Sequence, residues 1–230
     1  VSRAEDVAAR LAVVRRRMAD ACAAAGRGPD EVSLVVVTKF FPASDVRVLA
    51  DLGVTDVGEN RHQEASEKAA ECVDLGLRWH FIGALQSNKA SAVAAYADVV
   101  ESVDRRKLVA PLARGAGERV VDVLLQVSLD PPGSGHRAGA DPAGLAELAD
   151  AVAATEHLRL RGLMAVAPLG QDPDAAFARL AAIHADLLTS HPGATTLSAG
   201  MSGDLEQAIA HGATHVRVGS AVLGPRPAVQ

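Results

Sequence analysis

Leu34-Val35-Val36-Val37-Thr38-Lys39 is the stretch whose reading decides the fold. Four consecutive apolar residues, three of them β-branched, suit a strand covered on both faces, because branched side chains pack well on a pleated surface and leave no polar face for water. Lys39 ends the run abruptly, and lysine is almost never fully buried unless it is paired. Phe40-Phe41-Pro42 then breaks the pattern, and Pro42-Ala43-Ser44-Asp45 opens a helix. The lysine therefore stands at the carboxyl end of a buried strand, where parallel α/β folds collect ligands and chemistry. An amine held against apolar surroundings has a depressed pKa and, once neutral, can attack a carbonyl. The plainer reading is a strand-end lysine that snorkels to solvent.

Outward from this stretch the same alternation repeats. Ser2 and Glu5 have the S-x-x-E spacing of a capping box, and Val7, Leu11, Val14 and Met18 recur at helical period up to Gly26. They predict a leading helix of about six turns. Strand one is expected over 32–38, followed by a helix over 42–52 that Gly53 closes. Further strands are expected over 54–58, 78–82, 98–103, 120–127, 158–166, 195–197 and 215–218. Helices are expected from Asn60 to about Cys72, from about Ser87, after Asp104 as N-cap, over 173–188 and over 204–210. Strands alternating with helices mean βαβ units and a parallel sheet. Eight in sequence predict closure into a single (β/α)8 TIM barrel, one domain over 1–230; an open doubly wound sheet is the competitor.

Composition narrows the function. A net charge of −5 argues against nucleic acid or an acidic membrane surface as partner. The one basic cluster, Arg15-Arg16-Arg17, lies in a helical pattern and reads as a solvated face. Cys22 and Cys72 fall in helical patterns without metal-ligand spacing, so neither a disulfide framework nor a metal site is expected, and a reducing compartment is favoured. No apolar stretch has the pattern of a signal peptide or the length of a membrane span, so the expected location is the cytoplasm.

The last two strands end in Leu197-Ser198-Ala199-Gly200-Met201-Ser202-Gly203-Asp204 and Arg217-Val218-Gly219-Ser220. Small residues let the backbone approach a ligand, and successive N–H groups at a helix start form an anion nest. Loops after strands seven and eight are a frequent phosphate site in barrels. Arg217 alternates with apolar neighbours and either points into the barrel mouth or forms a structural ion pair. Asn60 is either a ligand donor or an N-cap. His80 reads as a satisfied core histidine. His211 and His215 are split by Gly212 and a strand start, which rejects a metal pair. The loop over 130–139 is expected on the same rim as Lys39, either as a mobile active-face loop or as a plain surface loop.

Thr38-Lys39 after an apolar strand, Gly58-Glu59-Asn60, Trp79-His80-Phe81-Ile82-Gly83 with Leu85-Gln86-Ser87-Asn88-Lys89, Arg161-Gly162-Leu163-Met164, Ser198 through Ser202, and Arg217-Val218-Gly219-Ser220 together resemble the YggS/PROSC family of pyridoxal 5′-phosphate homeostasis proteins. The resemblance runs along nearly the whole chain. It implies a barrel similar to the N-terminal domain of alanine racemase (PLP fold-type III), with pyridoxal 5′-phosphate as cofactor. By position, Lys39 matches the lysine that forms the internal aldimine. Ser198, Met201, Ser202, Gly219 and Ser220 match the phosphate-holding positions, Arg217 the arginine facing the pyridine nitrogen, and Asn60 an asparagine beside the cofactor. Many members carry a lysine in the loop after strand five; this chain has Gly135-His136-Arg137-Ala138-Gly139, and arginine does not serve as a Schiff-base amine.

The chemistry agrees with the resemblance: an aldehyde needs a neutral amine, a phosphate needs a nest, and the ring nitrogen needs a partner. An always-charged arginine there keeps that nitrogen unprotonated and weakens the ring as an electron sink. The resemblance thus implies a carrier that buffers pyridoxal phosphate without established turnover, and leaves open its delivery to PLP-dependent apoenzymes; a monomer is the expectation, though the sequence itself does not speak to oligomeric state. The alternatives are an amino-acid racemase, which needs an acid–base group on each face of the substrate carbon, and a Schiff-base aldolase.

Overall fold

Ser33–Val37 form β1, and burial deepens along the strand until Val35, Val36 and Val37 are enclosed. The computed structural model describes residues 2–130 and 139–225. A long helix, α1 (Arg3–Ala24), precedes β1. After it come α2 (Ala43–Asp51), β2 (Asp56–Glu59), α3 (His62–Glu71), β3 (Arg78–Phe81), α4 (Ser87–Ala94), β4 (Val99–Val103), α5 (Val109–Ala116) and β5 (Val121–Gln126). The second half adds α6 (Leu145–Ala153), β6 (Leu158–Met164), α7 (Pro173–Ser190), β7 (Thr196–Ser198), α8 (Leu205–Ala210), β8 (His215–Val218) and α9 (Ser220–Leu223). Every strand pairs in parallel with its sequence neighbour, and β8 returns to β1 through pairs from Ser33↔His215 to Val36↔Val218. The sheet is closed, so the open doubly wound alternative is excluded.

Strand alternation sorts side chains between an outer and an inner layer. Val36, Val57, Val216 and Val218 face outward and share one apolar cluster with Leu11, Val14 and Met18 of α1. In β3, Trp79 and Phe81 join the outer clusters, which leaves His80 to turn inward. Val99, Leu124 and Met164 form a small separate cluster. Gly58 supplies room in the interior: a Cβ there would lie 3.2 Å from Val35 Cγ1 and 3.5 Å from Ile82 Cδ1. The capping box at the start of α1 is formed in both directions, with Ser2 N–H donating to Glu5 Oε2 at 2.7 Å and Glu5 N–H to Ser2 Oγ at 3.2 Å.

Three expectations need correction. Asp104 caps no helix: Arg105 holds the N-cap position ahead of Arg106–Leu108 without a side-chain bond, and Asp104 Oδ1 instead accepts from Arg105 Nη1 at 2.5 Å. A carboxylate beside a guanidinium pairs with it rather than with backbone N–H groups. The second strand runs two residues later than expected at its start, because Gly53 turns at φ 74° and Val54 N–H still bonds back to Leu49 O at 3.0 Å. It also runs one residue later at its end, so Glu59 belongs to the strand and is buried. Finally, α6 and α9 have no counterpart among the helices the sequence predicts. The loop residues around His136 and Arg137 lie outside the described residues. Among the described residues no helix is long and apolar enough to cross a membrane.

Candidate functional site

At the carboxyl ends of the strands, Val37, Lys39, Phe40, Phe41, Ile82, Met201, Ser202, Arg217, Gly219 and Ser220 line one cavity of about 190 Å³. Six of the eight residues expected at the site (Lys39, Met201, Ser202, Arg217, Gly219 and Ser220) therefore meet there, brought from β1 and from the ends of β7 and β8 by barrel closure. The other two stand apart. Ser198 is fully buried beneath Arg217. Asn60 lines a neighbouring cavity with Arg61, His62, Leu85, Gln86 and Lys89, and its Oδ1 is buried with no hydrogen-bond partner among the described residues.

The turn that carries Ser202 is built from both ends of the chain. Gly200 adopts φ 90°, and a Cβ on it would lie 2.6 Å from Ala208 Cβ, so only glycine fits the passage from β7 to α8. Arg17 of α1 then donates to Ser202 O at 3.0 Å while its Nε pairs with Glu206 Oε1 at 2.7 Å. Gly219 and Ser220 lead into the short α9, the kind of extra helix that barrels place after their last strand.

Beneath the cavity a chain of charges crosses the barrel interior. Arg217 Nη1 donates to Ser198 Oγ at 2.6 Å, and Nη2 to Ala165 O at 2.8 Å. Ser198 Oγ donates to Glu101 Oε2 at 2.6 Å, and Glu101 Oε1 lies 2.7 Å from His80 Nδ1. His80 Nε2 continues to Asp56 Oδ1 at 2.9 Å. Glu101 belongs to β4 while Ser198 and Arg217 belong to β7 and β8, so these bonds span the lumen. Burial opposes charge on His80, but Asp56 and Glu101 outweigh it and hold its pKa at about 9. Burial likewise disfavours the Glu101 carboxylate, yet His80, Arg217 and Ser198 hold its pKa well below the ordinary range. Two cations and two anions balance, which is how buried charges are tolerated. His80 is thus the satisfied core histidine expected. Arg217 does both things weighed for it: it lies 3.8 Å from Glu101 and lines the cavity.

The turn carrying Lys39 is held by residues that sequence reasoning missed. Phe40 adopts φ 71°, a region that costs a bulky residue about 1–3 kcal/mol. Its N–H donates to Glu64 Oε1 at 2.5 Å. Lys68 Nζ donates to Thr38 O at 2.8 Å, Glu59 Oε1 at 2.6 Å and Glu64 Oε1 at 2.7 Å. Thr38 Oγ1 adds a bond to Glu59 Oε1 at 2.7 Å. Lys68 and Glu59 are both buried, and burial raises the Glu59 pKa against the pull of Lys68 and Thr38. The Phe40 ring lies beside two cations, with Arg61 Cζ 4.9 Å and Lys39 Nζ 5.9 Å from its centroid.

Comparison with known proteins gives this barrel its class. The family model described as "Alanine racemase, N-terminal domain" matches residues 10–227. A Mycobacterium tuberculosis relative called "Pyridoxal phosphate homeostasis protein" is 45% identical over 238 residues, covering 94% of this chain and 91% of that protein. The solved structure of PipY from Synechococcus elongatus PCC7942, with PLP bound, is 39% identical with a TM-score of 0.80, and covers 95% of this chain and 100% of PipY. Within the class, then, the chain belongs to the family of pyridoxal phosphate homeostasis proteins. Alanine racemase from Corynebacterium glutamicum shares the fold at 17% identity and a TM-score of 0.68; the match covers 98% of this chain and 62% of the racemase.

Proposed function

We propose that this chain binds pyridoxal 5′-phosphate in the cavity beside Lys39 and serves in its homeostasis inside the cell. The observation that carries the reading is the meeting of Lys39 with Arg217, Ser202, Gly219 and Ser220 around one cavity. That donor set fits the group: an amine for the aldehyde, hydroxyls and backbone N–H groups for the phosphate, a fixed cation for the ring nitrogen. PipY, solved with PLP bound, supports it.

In this reading Lys39 would hold the cofactor through its amine, and the bound cofactor would supply an aldehyde for that amine to condense with, releasing water. Met201, Ser202, Gly219 and Ser220 receive the phosphate, and Ser198 acts from below by holding Arg217. Asn60 approaches the cofactor from the neighbouring cavity. Lys68 does not compete, because all three of its N–H donors are engaged and no lone pair is left to attack. The chain works as a single barrel domain and a monomer in the cytoplasm, as a carrier without turnover whose cofactor can pass to apoenzymes.

Racemase chemistry would need a second acid–base group opposite the lysine. The one tyrosine, Tyr96, is half-buried beside His62, and burial together with Glu59 pushes its phenol further above its ordinary range. The test is direct. Borohydride reduction of the loaded protein followed by peptide mapping should place the cofactor on Lys39, and Lys39→Ala should abolish covalent attachment while the far-UV spectrum is kept. Attachment mapped to another lysine, or alanine or serine racemisation at ordinary enzyme rates of roughly 1 s⁻¹ or more, would replace this reading.

A further inference from the structure

The cluster on α3 carries an inference about how the reactive amine is aimed, and it rests on the reading of Lys39 as the point of attachment. Both peptide groups that flank the Lys39 Cα are gripped by side chains of one helix. The Thr38 carbonyl accepts from Lys68 at 2.8 Å, and the Phe40 N–H donates to Glu64 at 2.5 Å. Fixing those two planes fixes both backbone torsions of Lys39, and so the direction in which its side chain leaves the strand end.

The grip cannot swing. Lys68 is 6% exposed, and each of its three donors is occupied. Glu59, 1% exposed, anchors it from β2, and Thr38 Oγ1 bonds to the same carboxylate oxygen. Neither Lys68 nor Glu64 lines the cavity beside Lys39; Glu64 borders only the neighbouring one with Asn60, and Lys68 borders neither. A turn needed only for chain reversal would place glycine at a residue with φ 71°. Here an aromatic residue is kept in that conformation by a buried lysine and two carboxylates, an arrangement costly to desolvate. Backbone held this way against its own preference is a mark of preorganisation.

We propose that Lys68 and Glu64, anchored by Glu59, are positioning residues that aim the Lys39 amine at the incoming aldehyde. Their effect falls on bond formation with the carbonyl and not on capture of the ring and phosphate.

Two ligands separate these steps: pyridoxal 5′-phosphate, and pyridoxine 5′-phosphate, which has the ring and phosphate but an alcohol in place of the aldehyde. Dissociation constants for both would be measured for the wild type, Glu64→Ala, Glu64→Gln and Lys68→Met, with circular dichroism as the check on folding. Glu64→Ala removes the acceptor for Phe40 N–H; Glu64→Gln keeps an oxygen there. The expected result is at least a tenfold weaker hold on pyridoxal phosphate in Glu64→Ala, with pyridoxine phosphate within twofold of wild type and most of the loss recovered in Glu64→Gln. Lys68→Met, which frees the opposite peptide plane, should show the same split. Equal loss for both ligands would make the cluster a mere support of the fold, and no loss for either would remove it from the site; both overturn the proposal. A wild-type protein that traps no cofactor on Lys39 would instead sink the attachment reading, a distinct result.

Discussion

Raising the pH through the alkaline range should unload a measurable part of the fold's stability from one side chain, His80. It is 2% exposed, with Nδ1 2.7 Å from Glu101 Oε1 and Nε2 2.9 Å from Asp56 Oδ1. Burial alone would make it release its proton early, but the two carboxylates hold its pKa at about 9. In the unfolded chain the imidazole returns to about 6.5. The folded state therefore keeps a proton that the unfolded state gives up. The stabilisation is complete below about pH 6.5 and fades as the pH climbs through about 9. At about 1.4 kcal/mol per pH unit, the gap between the two values amounts to roughly 3 kcal/mol, a large share of a typical domain's stability. Urea unfolding followed at steps between roughly pH 6 and pH 10 reads the slope, and His80→Gln, which cannot titrate, serves as the reference for all other groups. The wild type should lose roughly 3 kcal/mol more than the variant across this window. Parallel curves, or an NMR titration of the His80 ring near the ordinary histidine value, would refute the charge balance assigned to the barrel interior.

Two further outcomes test packing. Gly83→Ala should destabilise the fold by at least about 1–3 kcal/mol, because the added Cβ would lie 2.1 Å from the Asn60 carbonyl oxygen, a backbone atom that cannot step aside alone; an unchanged melting temperature would show that the two loops are not in contact. Ser2→Ala should cost about 1 kcal/mol by opening the capping box of α1, read by chemical denaturation and by faster amide exchange at Glu5.

The barrel is legible in the sequence because its strands carry short branched apolar runs closed by turn residues. Val121–Gln126 and His215–Val218 lie within a residue of where the pattern puts them. α6 is the element least legible, although Leu145, Leu148, Ala149 and Val152 recur at helical spacing. It follows a Pro/Gly-rich stretch, and the start signal, Asp141 accepting from Ala143 N–H at 2.9 Å with Pro142 next to it, belongs to the short 3-10 turn that leads into the helix at Leu145. The interior network had a signal too: Glu101 stands among valines in a strand buried at every position, and a charge in such a strand must find a partner. The α3 cluster had none. Glu64 and Lys68 at i, i+4 look like an ordinary solvent-facing helix pair. Only the docking of α3 over the end of β1 buries the lysine, and docking is a property of the closed barrel rather than of the local sequence.

The packing of α1 also bears on how the chain is made. Its apolar stripe of Leu11, Val14 and Met18 is covered by Leu205, Ile209, Val216 and Val222, and Arg27 just beyond it bonds to the carbonyls of Ile209 and Ala213. On a ribosome, α1 must wait until α8, β8 and α9 have been made before its greasy side is sheltered. Such a long-range pairing slows folding and leaves the nascent protein open to self-association, so this apolar stripe is a surface a holding chaperone would meet.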